Sequence, residues 1–214
     1  MAGLTRFAVF SMVLQLALAG CVRSQACNEA TFRAILANIT GATLNYVARV
    51  PQDGSFGDAE TNQGYPFNAT NLPELCAASI NVRSSASSSF NFGLFLPNKT
   101  WNSRLMTTGN GAFAGGINYP DMGILTQYGF ATISTDTGHN SNPVDASWGF
   151  NQPERLFDWG YRAIHGSVAT AKQVVTEYYR RPIKYSYYAG CSTGKTHTRE
   201  PGEEREDGRV RHCR

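Results

Sequence analysis

Residues 185–194 read Tyr-Ser-Tyr-Tyr-Ala-Gly-Cys-Ser-Thr-Gly. The last five match the pattern G-x-S-x-G, and the five before them form an aromatic-rich run that favours a β-strand. In such a nucleophile elbow the serine lies on a tight turn after a strand, where a base can deprotonate its hydroxyl and an ester carbonyl can reach it. The pattern predicts Ser192 as a nucleophile, with the backbone N–H of Thr193 directed at the developing oxyanion.

A glycine-rich loop lies upstream, where residues 109–116 read Gly-Asn-Gly-Ala-Phe-Ala-Gly-Gly. Because glycines let bare backbone amides approach a carbonyl closely, we expect the N–H of Gly111 to supply a second oxyanion donor. Two other interpretations of the loop are a plain turn and a phosphate cradle. The loop lacks the Lys-Ser/Thr ending of a P-loop, which argues against nucleotide binding.

The hydrophobic pattern around these motifs predicts an α/β protein. Strands are expected at Thr43–Val50, in the alternating run 90–96, and at Arg104–Thr108, Gly129–Thr135 and Tyr185–Ala189. A short helix is expected at Ala30–Asn38. After Pro153, six residues spaced three and four apart predict a long helix with one apolar face: Tyr161, Ile164, Val168, Ala171, Val175 and Tyr178. Strands that alternate with a long helix favour a parallel sheet of βαβ units.

Two histidines precede the serine, His139 and His165. His139 lies in the turn Asp-Thr-Gly-His, where it is either a catalytic base or a residue that orients the loop. Since α/β-hydrolases place acid and base after the nucleophile in the chain, the orienting role is favoured. His165 lies on the long helix, where a structural role is expected.

The composition restricts the classes of protein to which the chain can belong. The chain has 214 residues, of which 42% are hydrophobic and 16% charged, and this balance is typical of a folded domain. A net charge of +3 without a basic stripe argues against nucleic-acid binding. The sequence contains no C-x-x-C pattern, so no zinc site is expected.

The first 19 residues are predicted to be a signal peptide, cleaved before Gly20. Their apolar run is too short to cross a bilayer, so secretion is expected and membrane anchoring is not. Two alternatives stay open: cleavage just before Cys27, and a lipoprotein box in which Cys21 carries lipid.

Features downstream agree with an oxidising secretory route. Sequons at Asn38, Asn68 and Asn98 predict exposed glycosylation sites, although these residues could also be plain loop residues. Of the five cysteines, Cys27 and Cys76 are the expected disulfide pair.

The composition changes after Gly194. Residues 195–214 hold eleven of the 35 charged residues of the chain and a single aliphatic residue, Val210. Such a segment buries too little apolar surface to offset its ordering entropy. We predict a disordered tail that is foreign to the fold, which leaves 20–194 as the folded domain.

Four stretches together resemble the fungal tannase and feruloyl esterase family: 109–117, 134–140, 157–163 and 188–194. The likeness runs from about Cys27 to Gly194. It implies an α/β-hydrolase sheet with Ser192 as nucleophile. It also implies that Cys191 forms a disulfide with a cysteine beside the catalytic histidine.

The family continues through a calcium-binding lid to a catalytic Asp and His, whereas here the elbow is followed by the charged tail. The expectation is therefore an incomplete α/β-hydrolase sheet without its C-terminal strands and lid, no cofactor in this chain, and little or no activity. Asp207 and the pair His212-Cys213 imitate the missing acid and base, but so charged a tail is not expected to build the strands that would hold them.

The resemblance implies a secreted carboxylic ester hydrolase of hydroxycinnamate or gallate esters, with small aromatic-acid esters or esterified polysaccharides as partners. One alternative is a non-catalytic secreted protein that binds plant-wall sugars or polyphenols through Trp148, Phe150 and Trp159. A lipid-anchored surface protein is another alternative.

Overall fold

A computed structural model of the protein describes residues 24–194 and the backbone of residues 210–212. The predicted signal peptide, the alternative at Cys21 and most of the charged tail lie outside the described residues. Among the residues described, no helix is both long and apolar enough to cross a membrane.

The described chain contains the following elements, in order: α1 Glu29–Leu36, β1 Ala42–Val50, β2 Gly54–Phe56, β3 Ala69–Leu72, β4 Leu75–Arg83, β5 Ser89–Pro97, β6 Arg104–Thr108, α2 Tyr119–Thr126, β7 Ala131–Thr135, α3 Pro153–Phe157, α4 Ala163–Tyr179, β8 Tyr185–Gly190 and β9 Val210–His212. A π-helical segment, Asp158–Arg162, joins α3 to α4. Every helix and strand predicted from the sequence is present.

Seven of the strands form one mixed sheet in the order β1-β4-β5-β7-β6-β8-β9. The pairs β7–β6, β6–β8 and β8–β9 are parallel, as the βαβ pattern predicts. The pairs β1–β4, β4–β5 and β5–β7 are antiparallel. The sheet is therefore parallel only in the half that carries the two glycine-bearing motifs.

Helices cover both faces of this sheet and create two hydrophobic cores. On one face α1 and α4 pack over strands that include β5, whose Phe92 and Leu94 are fully buried there. On the other face α2 packs with Tyr119 against Phe95. The predicted apolar face of the long helix is confirmed, since four of its six members are buried: Ile164, Ala171, Val175 and Tyr178.

The expected disulfide Cys27–Cys76 is present. It fastens the segment before α1 to β4, close to the point where Arg49 Nε donates to the carbonyl of Cys27 at 3.2 Å. Asn38 and Asn68 are exposed, as their sequons require. Asn98 is half-buried, and its Nδ2 donates to Glu74 Oε1 at 3.2 Å.

We predict that replacing both Cys27 and Cys76 by alanine lowers the free energy of unfolding by about 4 kcal/mol. The two cysteines are 49 residues apart in sequence, so the disulfide restricts a long loop of the unfolded chain. Urea denaturation of the oxidised protein and of the double variant measures the difference. Equal unfolding midpoints would contradict the prediction.

Candidate active site

Ser192 lies on a sharp turn directly after a sheet strand. Strand β8 ends at Gly190, and residues 192–194 form a single turn of 3-10 helix closed by the Gly194 N–H, which donates to the Cys191 carbonyl at 3.0 Å. Ser192 has φ of 55°, a left-handed conformation that is costly for any residue with a Cβ atom. The side chain is exposed. The strand and turn required by a nucleophile elbow are thus both present.

The two glycines of the motif are required by close contacts. A Cβ atom on Gly190 would lie 2.9 Å from the carbonyl oxygen of Gly194, and one on Gly194 would lie 2.7 Å from the carbonyl oxygen of Asn110. Beneath the turn, the hydroxyl of Tyr188 donates to the same Gly194 carbonyl. These contacts leave no room for side chains at either position.

The glycine-rich loop lies against this turn because β6 and β8 are adjacent parallel strands that end side by side, with Thr108 opposite Ala189. The Gly109 N–H donates to the Ala189 carbonyl at 2.9 Å. Thr193 Oγ1 donates to the Ala112 carbonyl, also at 2.9 Å. The glycine-rich loop and the elbow turn are therefore in direct contact.

The expected donor in this loop is already engaged. The N–H of Gly111 donates to the hydroxyl oxygen of Tyr65 at 3.0 Å. Sequence reasoning missed Tyr65 because it lies in a polar loop, between β2 and β3, with no periodic pattern. The structure thus adds a tyrosine hydroxyl to the site where a bare amide was expected.

His139 orients the neighbouring loops, in agreement with the interpretation favoured from the sequence. Its Nε2 lies 3.1 Å from the carbonyl oxygen of Phe113, and its Nδ1 lies 3.2 Å from Thr137 Oγ1. Its ring stacks on Trp148 with 3.7 Å between centroids. Burial lowers the pKa of His139. His165 is exposed on α4.

The aromatic surface proposed as a binding face is only partly open. The His139 ring stacks on Trp148 and covers one of its faces. The ring centroids of Trp148 and Trp159 lie 5.8 Å apart. Of these three aromatic residues, Phe150 projects into solvent, with 78% of its surface exposed. The two tryptophans therefore pack the loops rather than forming a flat aromatic platform.

The carboxylate of Asp136, a half-buried residue, supports the turn that carries His139. Asp136 accepts hydrogen bonds from the backbone N–H and Nδ2 of Asn91 and from the Gly138 N–H, at 2.9, 2.7 and 2.8 Å. Burial nevertheless raises the pKa of Asp136 to about 6, and the neighbouring carboxyl of Asp158 adds to the effect. Asp158 is itself fully buried, and its carboxylate pairs with Arg162 Nε at 3.1 Å.

Cys191 is bonded in a disulfide. Strand β9 pairs in parallel with β8, so that the backbone of residue 212 lies opposite Gly190. The prediction of a disordered tail did not anticipate this strand. An open sheet edge can pair with any extended chain because the ladder uses backbone groups alone.

Within the part of the chain that the structure describes, no group of three or more His, Cys, Asp or Glu side chains could hold a metal ion.

A mixed sheet with helices on both faces and a serine-bearing turn after its third parallel strand is the architecture of the α/β-hydrolase type. The profile of the family described as "Tannase and feruloyl esterase" matches residues 76–199, more than half of the chain. The chain belongs to the tannase and feruloyl esterase family, a family of carboxylic ester hydrolases.

Relatives and solved structures agree with this assignment. The chain is 34% identical over 161 residues to a probable feruloyl esterase B-1 of Aspergillus terreus, and 32% identical over 168 residues to feruloyl esterase B of Aspergillus niger. These matches take in 74% and 78% of this chain but 29% and 31% of the relatives, so the chain spans about three tenths of their length.

The structure of feruloyl esterase B from Aspergillus oryzae superposes with a TM-score of 0.66 and 32% identity, over 77% of this chain and 32% of the other. An esterase from the same organism gives a TM-score of 0.69 with 30% identity over the same shares. The tannin acyl hydrolase of Aspergillus niger, at 23% identity and a TM-score of 0.58, shares the fold.

We predict that Gly194→Ala destabilises the protein by about 1–3 kcal/mol, because its Cβ would press on the Asn110 carbonyl. Gly111→Ala is the matched control, since no atom lies within 4 Å of the position of its added Cβ. Thermal unfolding of both variants measures the effect. Equal losses in the two variants would show that the contact between elbow and loop is not the cause.

We also predict a pH dependence that Asp136 causes. Its pKa of about 6 lies above the ordinary 3.8, so the native state retains this proton longer than the unfolded chain does. Its contribution to stability is full below about pH 4 and is lost as the pH rises through 6. Between pH 5 and pH 7.5 the loss is about 1 kcal/mol.

His139 opposes this trend, because a histidine with a lowered pKa destabilises the native state when it becomes protonated. The test therefore compares wild-type protein with Asp136→Asn at both pH values by urea denaturation. The free energy of unfolding of the variant should fall less between the two pH values than that of the wild-type protein. An equal change in both proteins would refute the role of Asp136.

Proposed function

We propose that this chain supplies the nucleophile and the oxyanion-stabilising loop of a serine carboxylic ester hydrolase. The observation that carries the proposal is the left-handed Ser192 at the carboxyl end of β8, held against the glycine-rich loop by the hydrogen bond from Thr193 to Ala112. A side chain lifted clear of the sheet beside backbone amides is the arrangement that acyl transfer from an ester requires.

The reaction begins when Ser192 Oγ adds to the ester carbonyl carbon and its proton passes to a base. The carbonyl oxygen acquires negative charge, which the N–H of Thr193 and the glycine-rich loop stabilise. Collapse of this intermediate expels the alcohol and leaves an acyl-serine. Water then adds to the acyl carbon and releases the free acid.

Among the side chains that the structure describes, no base is hydrogen-bonded to Ser192. Both ring nitrogens of His139 lie within hydrogen-bond distance of loop atoms, and His165 lies exposed on α4. Neither histidine is hydrogen-bonded to Ser192, and a serine stays a weak nucleophile at neutral pH without a base. We therefore propose that the 214-residue chain turns over esters slowly or not at all.

The pairing of β9 with β8 favours one alternative. It places the backbone of residue 212 opposite Gly190, two residues from the proposed nucleophile. If the side chain of His212 reaches Ser192, the chain carries its own base. Activity that depends on both Ser192 and His212 would distinguish this alternative from an incomplete site.

The substrate class is proposed from the relatives, whose names specify feruloyl esterase and tannin acyl hydrolase. We propose hydroxycinnamate or gallate esters, presented as small aromatic-acid esters or on esterified plant polysaccharides. Secretion is proposed as well. The disulfide Cys27–Cys76 supports it, since such bonds persist in oxidising compartments, as do the exposed sequons at Asn38 and Asn68.

The proposal predicts that a fluorophosphonate probe in large excess, incubated for long times at alkaline pH because Ser192 has no identified base, forms a single covalent adduct on Ser192, located by intact-mass and peptide analysis. Ser192→Ala should abolish the adduct, and Ser147→Ala, which removes another exposed serine hydroxyl, should leave it unchanged. Labelling that survives Ser192→Ala would refute the assignment of the nucleophile.

Turnover of methyl ferulate and methyl gallate by the same protein tests the missing base. We expect rates near the uncatalysed background. Turnover close to that of a full-length relative, lost in both Ser192→Ala and His212→Ala, would overturn the expectation of an incomplete site and support the alternative.

A further inference from the structure

The Tyr65 hydroxyl lies at the candidate oxyanion site with its own proton unused. Its oxygen accepts the Gly111 N–H at 3.0 Å, and among the described residues no acceptor takes the phenolic proton. Tyr65 is half-buried, so bulk water does not fully solvate its side chain. A partly buried hydroxyl group that accepts one hydrogen bond and has a donor to spare is suited to bind a ligand oxygen.

The surrounding loop fixes the backbone of Tyr65. Its N–H donates to Asn62 Oδ1 at 2.8 Å, while Asn62 Nδ2 donates to the Ile117 carbonyl at 2.9 Å. The neighbouring Gly64 packs so closely on Gly115 that a Cβ atom there would overlap the Gly115 carbonyl oxygen. These contacts fasten the Tyr65 loop to the far end of the glycine-rich loop.

A second set of contacts joins the same loop to the turn after β7. The Gln63 N–H donates to Asn140 Oδ1 at 2.9 Å, and Asn140 Nδ2 donates to the Thr61 carbonyl at 2.7 Å. The position of Tyr65 is thus determined from both sides. Such preorganisation is what an oxyanion donor requires, since no reorganisation is then needed as charge develops.

The hydroxyl also lies close to the elbow. It accepts the N–H of Gly111, and the next residue, Ala112, accepts a hydrogen bond from Thr193 Oγ1 of the elbow turn at 2.9 Å. Around Gly111, which contacts Tyr65, the space where a side chain would stand is empty to 4 Å. The position beside Gly111 is therefore open space.

We propose that the Tyr65 hydroxyl, backed by the N–H of Gly111, is the second oxyanion donor of this site. This inference rests on the proposed function. The amide acts through the tyrosine: it donates to Oη, and Oη donates its own proton to the ester carbonyl oxygen as that oxygen becomes negative. Hydrogen bonds in such a chain polarise and strengthen one another.

The same surroundings restrict Tyr65 to the role of a donor. Burial raises the pKa of its hydroxyl above the ordinary 10, so the group stays protonated at neutral pH. It therefore does not serve as the base that deprotonates Ser192. Its expected effect is confined to the negatively charged oxygen, which a ground-state ester does not yet carry.

The test compares Tyr65→Phe with wild-type protein in two reactions, fluorophosphonate labelling of Ser192 and acylation by p-nitrophenyl acetate, an activated ester that needs little help from a base. Loss of one preorganised oxyanion donor should slow both by about 100-fold. For the ester, kcat should fall while KM changes little. Tyr128→Phe is the matched control, because that tyrosine is 70% exposed at the end of α2 and should leave both rates unchanged.

Each outcome decides between the two claims. If Ser192→Ala abolishes both reactions and Tyr65→Phe alters them less than twofold, the role of Tyr65 is refuted and the proposed nucleophile stands. If the reactions persist in Ser192→Ala, the proposed function fails. NMR then decides the Tyr65 claim alone: the 13Cζ resonance of Tyr65 should shift on titration with methyl ferulate, and an unchanged resonance would overturn it.

Discussion

The candidate site depends on the direct contact between two backbone segments, the turn at Ser192–Gly194 and the glycine-rich loop at Gly109–Ala112. The Gly194 backbone lies so near the Asn110 carbonyl that a methyl group would not fit between them. The hydrogen bond from Thr193 to Ala112 holds the two in register. Serine in a left-handed conformation is costly by itself, and it persists only where its surroundings fix the turn.

That contact follows from the sheet. Strands β6 and β8 are adjacent, parallel and level at their carboxyl ends, so the loops that follow them emerge side by side. Strand β7 is parallel to β6 on its other side, and the turn that follows it brings Asn140 to the loop of Tyr65. Three loops thus meet at one edge of the sheet, which is where open α/β sheets bind their ligands.

The sequence was informative wherever a pattern has a geometric cause. Alternation predicted β5, three- and four-residue spacing predicted the buried face of α4, and G-x-S-x-G predicted the turn at Ser192. Strand β4 was missed, because Leu75–Arg83 is almost continuously buried and so shows no alternation of apolar and polar residues. Without β4, the antiparallel half of the sheet could not be predicted.

Helix α2 was missed as well, since Tyr119–Thr126 contains Pro and Gly and has little difference in polarity between its faces. Tyr65 escaped notice for another reason. Its place at Gly111 depends on side-chain amides from Asn62 and Asn140, which are distant from each other in sequence, and no local pattern records such a tertiary constraint. The sequence predicted that the glycine-rich loop belongs to the site, but it did not predict that Tyr65, from another loop, contacts it there.

The most direct measurement is a crystal structure of the 214-residue chain after reaction with a phosphonate. We predict phosphorus bonded to Ser192 Oγ, with the phosphoryl oxygen about 3 Å from both the Thr193 nitrogen and the Tyr65 hydroxyl oxygen. An adduct whose phosphoryl oxygen points into solvent, away from the glycine-rich loop, would contradict it.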